Sequence, residues 1–311
     1  MASGGDTMLT PALDRYLELR RALGYKLNSQ EHLLRSYVRF ADNRADEHLR
    51  RSTALEWTQQ STTARQSERR MRLVIGFAQF LHAEDPRHEI PIGKRACSLQ
   101  PRPLPHIFSA DELRRLSNAA AQLDPPGSMR PLTFGTLFNL LAATGLRISE
   151  ALSLRLDDLT PDGLMIRDTK FHKSRLVPLH GTAAAALTQY LDRRLRVNSK
   201  FDNLFISLKL TPLCYHTASK MFRQLCISAG LRSTEQAHGP RLHDLRHTLA
   251  VRALESCPHA RDQVTPHMLA LSTYLGHGSA RGTYWYLQSS PQLMHDVADA
   301  GEAWLLGGRE Q

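Results

Sequence analysis

The 311-residue chain has only four cysteines, Cys97, Cys214, Cys226 and Cys257, and no two of them stand in C-x-x-C spacing. That removes the usual zinc and dithiol motifs, so the four are expected as reduced, partly buried thiols in a reducing compartment. Long apolar runs are missing as well: none approaches the ~20 residues a helix needs to cross a bilayer. The N-terminus, MASGGDTMLT, lacks the basic-then-apolar layout of a signal peptide. A cytoplasmic protein with no membrane partner is therefore expected. No carboxylate cluster of the kind a metal-dependent nuclease needs is found, and neither a metal nor another cofactor is expected. Internal repeats and low-complexity tracts are absent too. At 41% hydrophobic and 23% charged the composition is that of a globular protein. The length allows two domains at about 100–200 residues each.

Base, by contrast, is plentiful. Lysine and arginine number 40 against 30 acidic residues, for a formal net charge of +10 and a pI near 9.8. This is the balance of a polyanion binder. Residues 1–100 carry 16 Lys+Arg against 12 Asp+Glu, residues 101–250 carry 20 against 12, and residues 251–311 carry 4 against 6. The surplus thus sits mid-chain, and the tail is no grip for a phosphate backbone.

The first third reads as helical. Leu9, Leu13, Tyr16, Leu17 and Leu23 fit one 3.6-residue stripe ended by Gly24, and Leu33, Leu34, Tyr37, Val38 and Ala41 fit another. A third runs through Val74, Ile75, Ala78 and Leu81, preceded by Arg65, Arg69, Arg70 and Arg72. Those arginines form either a solvated face or a track for a phosphate backbone, and we take them as DNA-binding candidates. Five prolines between 86 and 105 mark a linker, because each lacks an N–H and restricts its predecessor. Ser109 then opens a helix with Glu112 three residues on, a capping box. Domains at 1–105 and 106–311 follow. In the second, Phe134, Leu137, Leu140 and Leu141 predict a buried helix stopped at Gly145. Stretches 163–168 and 175–180 predict a hairpin, and helices follow, one opening at Thr265-Pro266. The fold class is mostly α with a small β-sheet in the second domain.

Four short boxes carry the chemistry: TGLRISEALSL (144–154), TKFHKSRLVPL (169–179), HDLRHTLA (243–250) and LGHGSARGTYWYL (275–287). They bring Arg147, Lys170, His243, Arg246, His277 and Tyr286, a set suited to holding a phosphodiester and attacking it with a phenol. Arginine donates two parallel hydrogen bonds to phosphate and never deprotonates. The Gly145 break places Arg147 at a helix N-terminus, which adds affinity for anions. His243 and Arg246, three apart, share a helix face. A phenol with a pKa near ~10 needs a base or a strongly positive pocket, and His243 is the candidate base.

The order and spacing of these boxes resemble the tyrosine recombinase (phage integrase, Xer-like) family over residues 105–290. The resemblance implies that Lys170 is the general acid, that His277 bonds the scissile phosphate, and that Tyr286, nine residues on, is the nucleophile, with Tyr284 as competitor. It makes Glu150 an orienter of the site. Lys173 and Arg175 beside the hairpin tip join the DNA-binding candidates, although Lys173 also reads as a solvated turn lysine. The implied architecture is a two-domain, C-shaped clamp on duplex DNA carrying a specific recombination site. The implied reaction passes through a 3′-phosphotyrosyl link without ATP or metal. A helix at 291–306 is expected to dock on a neighbouring copy in a tetramer on paired sites. The rival readings are a type IB topoisomerase, a catalytically silent DNA-binding protein and a metal-dependent nuclease.

Overall fold

The computed structural model describes residues 9–25, 27–92, 104–167, 174–235, 239–256 and 261–276, together with Tyr286, His295 and Glu302. The chain divides into two compact units, Met1–Arg102 and Pro103–Gln311. The described residues are mostly helical with one small sheet. No described helix is long and apolar enough to cross a membrane.

The first unit holds α1 (Leu9–Ala22), α2 (Asn28–Asp42), α3 (Arg51–Gln59) and α4 (Ala64–Glu84). The stripes read from the sequence meet in one core: Leu13 and Leu17 from α1, Tyr37 and Val38 from α2, Val74 and Leu81 from α4. Trp57 of α3 seals it, edge-on to Tyr37 with ring centroids 5.4 Å apart. Two expectations change here. Leu23 lies beyond the end of α1 and is exposed, because the helix stops at Ala22 and Gly24 turns at positive φ. The start of the expected linker is folded: the Glu89 N–H donates to the Leu49 carbonyl (2.8 Å), and the Leu49 N–H donates to Nδ1 of the buried His88 (3.0 Å).

In the second unit, α5 (Ala110–Ala121) opens on the Ser109–Glu112 capping box, with both reciprocal bonds formed. The apolar α6 (Met129–Thr144) runs through the centre and packs on α5, on α8 (Gly181–Leu195) and on α10 (Leu242–Glu255). Truncating a fully buried member such as Leu137 to alanine costs about 2–5 kcal/mol. The short α7 (Ile148–Ser153) leads to an antiparallel sheet, β1 (Leu159–Thr160), β2 (Gly163–Ile166) and β3 (Arg175–Val177), in that order. β2 and β3 form the expected hairpin, with Met165 opposite Leu176. α9 (Tyr215–Ser228) packs on α5, α6 and α7. Phe108, at the entry to the unit, is tied to α10 twice: its N–H donates to Thr248 Oγ1 (2.9 Å), and its carbonyl accepts from Arg252 (2.6 Å).

α11 (Arg261–Leu275) differs from the expected start at Thr265-Pro266. It begins a full turn earlier and carries Pro266 inside. Proline's φ is helical, so the cost is one missing N–H bond toward the preceding turn and the crowding of its ring against that turn's carbonyl. Among the cysteines, Cys226 is buried, whereas Cys214 is exposed at the N-cap of α9.

Candidate active site

Gly145 ends α6 in the left-handed conformation, φ 61°. A Cβ there would stand 2.7 Å from Leu249 Cδ2 on α10, so only glycine lets the chain turn this close to its neighbour. The turn delivers Arg147 to the N-cap of α7. The open helix N-terminus expected beside it is filled: the buried carboxylate of Glu150 accepts from the Arg147 backbone N–H (3.0 Å) and from its guanidinium (2.6 Å). Glu150 also accepts two bonds from Arg175 of β3, at 3.2 and 2.8 Å. Burial alone would raise the Glu150 pKa, but the Arg175 hydrogen bonds, the Arg147 N–H, the Arg175 charge and the Arg147 guanidinium bond outweigh it and hold the carboxyl below its ordinary value.

Arg246 of α10 is almost wholly buried, at 2% exposure. Its guanidinium is anchored on backbone oxygens: it donates to the Gly145 carbonyl (2.6 Å) and the Leu275 carbonyl (2.7 Å). Arg147 donates to the Gly276 carbonyl (2.7 Å), and Arg175 donates through Nε to the Tyr274 carbonyl (2.9 Å). Three arginines therefore meet three consecutive carbonyls at the end of α11, where a helix leaves acceptors unsatisfied and its dipole favours cations.

Tyr286 is 2% exposed and packs with Val251 and Leu254 of α10 and Leu271 and Leu275 of α11. Desolvation raises the phenol's pKa, partly offset by the charge and hydrogen bond of Arg246 and by the charge of Arg147. His243 keeps an exposed edge. Its pKa is nonetheless lowered, first by the protein packed round the ring and then by the charges of Arg246, Arg147 and Arg241, against the opposing pull of Asp244. Asp244 is itself engaged at the start of α10, accepting from the Arg241 N–H (2.8 Å) and guanidinium (2.9 Å).

Of the six residues singled out by sequence, the structure brings Arg147, His243, Arg246 and Tyr286 together. Lys170, His277 and Lys173 lie outside the described residues, as do Tyr284 and nearly all of 291–306. Arg175, expected to reach DNA, is instead turned into the site, its side chain 13% exposed. Arg65, Arg69 and Arg72 are exposed along α4, with Arg69 bonded to Ser29 and Arg72 paired with Glu68. Arg70 turns inward, donating to the Trp57 carbonyl and stacking on its ring. His247 is a site residue that the sequence reading does not single out. It is buried one turn after His243, with its ring 4.4 Å from that of His243 and 5.3 Å from that of Tyr286. The i, i+4 spacing of the two histidines is the signal that could have found it.

The sequence profile of the phage integrase family matches residues 106–292. The chain belongs to that family. Within it, the chain is 37% identical to y4rB of Sinorhizobium fredii, named as an integrase/recombinase, over 92% of this chain and 94% of that one. It is 32% identical to the tyrosine recombinase XerD of Caulobacter vibrioides, over 74% and 72%. Among solved structures, the Tn1549 transposon integrase in complex with transposon right end DNA superposes with a TM-score of 0.64 at 16% identity, covering 92% of this chain and 99% of that one. This integrase-family protein is a tyrosine recombinase, an enzyme of DNA strand exchange.

Proposed function

We propose that site-specific recombination by this chain is carried by Tyr286 as nucleophile, with Arg147 and Arg246 holding the scissile phosphate of duplex DNA. The observation behind this reading is the Tyr286 phenol, buried against Arg246, within the field of Arg147 and beside the His247 ring, which in turn packs on His243. The phenolic oxygen attacks phosphorus, the bond to the 5′ oxygen breaks, and a 3′-phosphotyrosyl link and a 5′-hydroxyl result. His243 takes the phenol's proton. Lys170 gives one to the departing oxygen, and His277 donates to the phosphate, in the roles their boxes imply. A 5′-hydroxyl from another duplex then reverses the step, so the bond energy is kept. Each guanidinium fork is worth about 3–4 kcal/mol in a preorganised site.

The DNA complex of the structurally similar Tn1549 integrase supports DNA as the partner, and on this reading that DNA is a duplex. On this reading residues 1–105 bind DNA, with Arg65, Arg69 and Arg72 of α4 and Lys173 of the hairpin tip contributing phosphate contacts. Residues 106–311 are catalytic. Segment 291–306 docks on a neighbouring copy in a tetramer, and the protein works in the cytoplasm.

Footprinting on the DNA flanking its own gene defines the site, and a nicked suicide duplex carrying that site provides the test. Wild type should be trapped as a covalent adduct on a denaturing gel. Tyr286→Phe should bind the duplex and give no adduct, whereas Tyr284→Phe should retain it. The reverse pattern would make Tyr284 the nucleophile. Supercoil relaxation without joining of two marked duplexes would indicate a topoisomerase instead.

A further inference from the structure

Arg175 lies five residues beyond the proposed general acid, in a basic chain, and reads naturally as another hand on the DNA. The geometry argues otherwise. Three of its five N–H donors are spent inside the protein, two on Glu150 and one on the Tyr274 carbonyl. Gly276 is shaped around it: a Cβ on that residue, at φ +65°, would stand 2.7 Å from Arg175 Nη1 and 2.9 Å from Cζ. Arg175's two bonds to Glu150 already pair its charge with a buried carboxylate, and its side chain is 13% exposed against 31% for Arg147.

The same bonds join two parts of the site that the chain itself does not connect. Through Glu150, Arg175 reaches the backbone and guanidinium of Arg147; through Tyr274 it reaches the end of α11, which leads into His277 and on to Tyr286. It also changes the local charge balance. Arg147 and Glu150 alone would sum to zero beside the phosphate, whereas the second guanidinium on Glu150 leaves the group net positive. We propose that Arg175 is a positioning residue that sets Arg147 and the last turn of α11 in one register, and that it does not bind DNA. The proposal rests on the active-site reading above, and its test separates the two.

Three measurements on the full chain decide it, comparing wild type with Arg175→Gln and Arg175→Lys. Hydrogen exchange without DNA should quicken about tenfold in residues 271–276 of either variant, because neither the lysine ammonium nor the glutamine amide can span Glu150 and the Tyr274 carbonyl. On a nonspecific 30-base-pair duplex, the slope of log affinity against log salt should stay as in wild type, whereas removal of a phosphate-binding cation would lower it by about 0.9. On the suicide duplex, adduct formation at saturating DNA should fall roughly 100-fold, the scale of a misplaced clamp. Arg175→Lys keeps the charge and guards against misfolding of the Gln variant. Adding Glu150→Gln to Arg175→Gln should cost little beyond the worse single change, since both act on Arg147. A reduced salt slope with unchanged exchange in α11 would make Arg175 a DNA ligand and overturn the proposal. So would exchange and adduct rates that stay as in wild type. Adducts formed by Tyr286→Phe would sink the nucleophile assignment instead, leaving the exchange result to stand or fall separately.

Discussion

A buried phenol beside cations is pulled two ways, and at Tyr286 desolvation wins: its pKa lies above the ordinary value. As the proposed nucleophile it therefore reaches the reaction protonated, and the proposed acceptor has to be neutral at working pH. His243 meets that condition because its own pKa is lowered, by packing first and then by Arg246. Neutral imidazole persists down to the depressed pKa, so the acid limb of the cleavage profile should fall below the ordinary histidine value of about 6.5. Single-turnover rates across pH check this, and a limb at or above that value would remove His243 as the base. His247 packs between this ring and Tyr286. His247→Ala should slow adduct formation by about 100-fold through misplacement of the two rings while DNA affinity holds. Equal adduct rates would make it simple packing. The Ser109–Glu112 cap is legible in the sequence because its bonds span three residues. Arg175 is not, because the bond that decides its role reaches a carbonyl 99 positions away, and no local pattern encodes such a distance.

Helices are legible wherever one face is apolar, and their ends are legible where glycine turns the chain. Gly145 can be read as a stop because positive φ is cheap only for glycine. Gly145→Ala should therefore cost about 1–3 kcal/mol from backbone strain, with the Leu249 clash added. A urea melt within error of wild type would refute it. α11 shows the limit of local rules, since Thr-Pro reads as a helix start and yet lies inside one. Pro266→Ala should restore a backbone bond and stabilise the unit by about 1 kcal/mol or more. A lower urea midpoint would mean that the proline ring packs usefully. The two-residue β1 offers no periodicity to read, and it pairs through only two positions.

The molecule as a whole is legible in its order of boxes and its charge, because both are properties of the chain alone. Nothing in a stripe says which stripes meet, so Trp57 as the seal of the first core cannot be read ahead of the fold. If the first unit grips the phosphate backbone, deleting residues 1–105 should weaken DNA binding and flatten its salt dependence, by about 0.9 in slope for each phosphate no longer neutralised. An unchanged slope would confine DNA binding to the catalytic unit. Arg246 carries a different consequence. Buried among the Gly145 and Leu275 carbonyls, it has the Tyr286 phenol as a further partner. If Arg246 holds the phosphate as proposed, an incoming phosphate must compete with that phenol for the same cation, and each weakens the other's hold by the same factor. Attack ends the contest, because the tyrosine oxygen becomes one of the phosphate's own. Resting enzyme and covalent intermediate are on this reading two ways of occupying a single seat, and the balance between them sets how much cleaved DNA waits for its new partner strand.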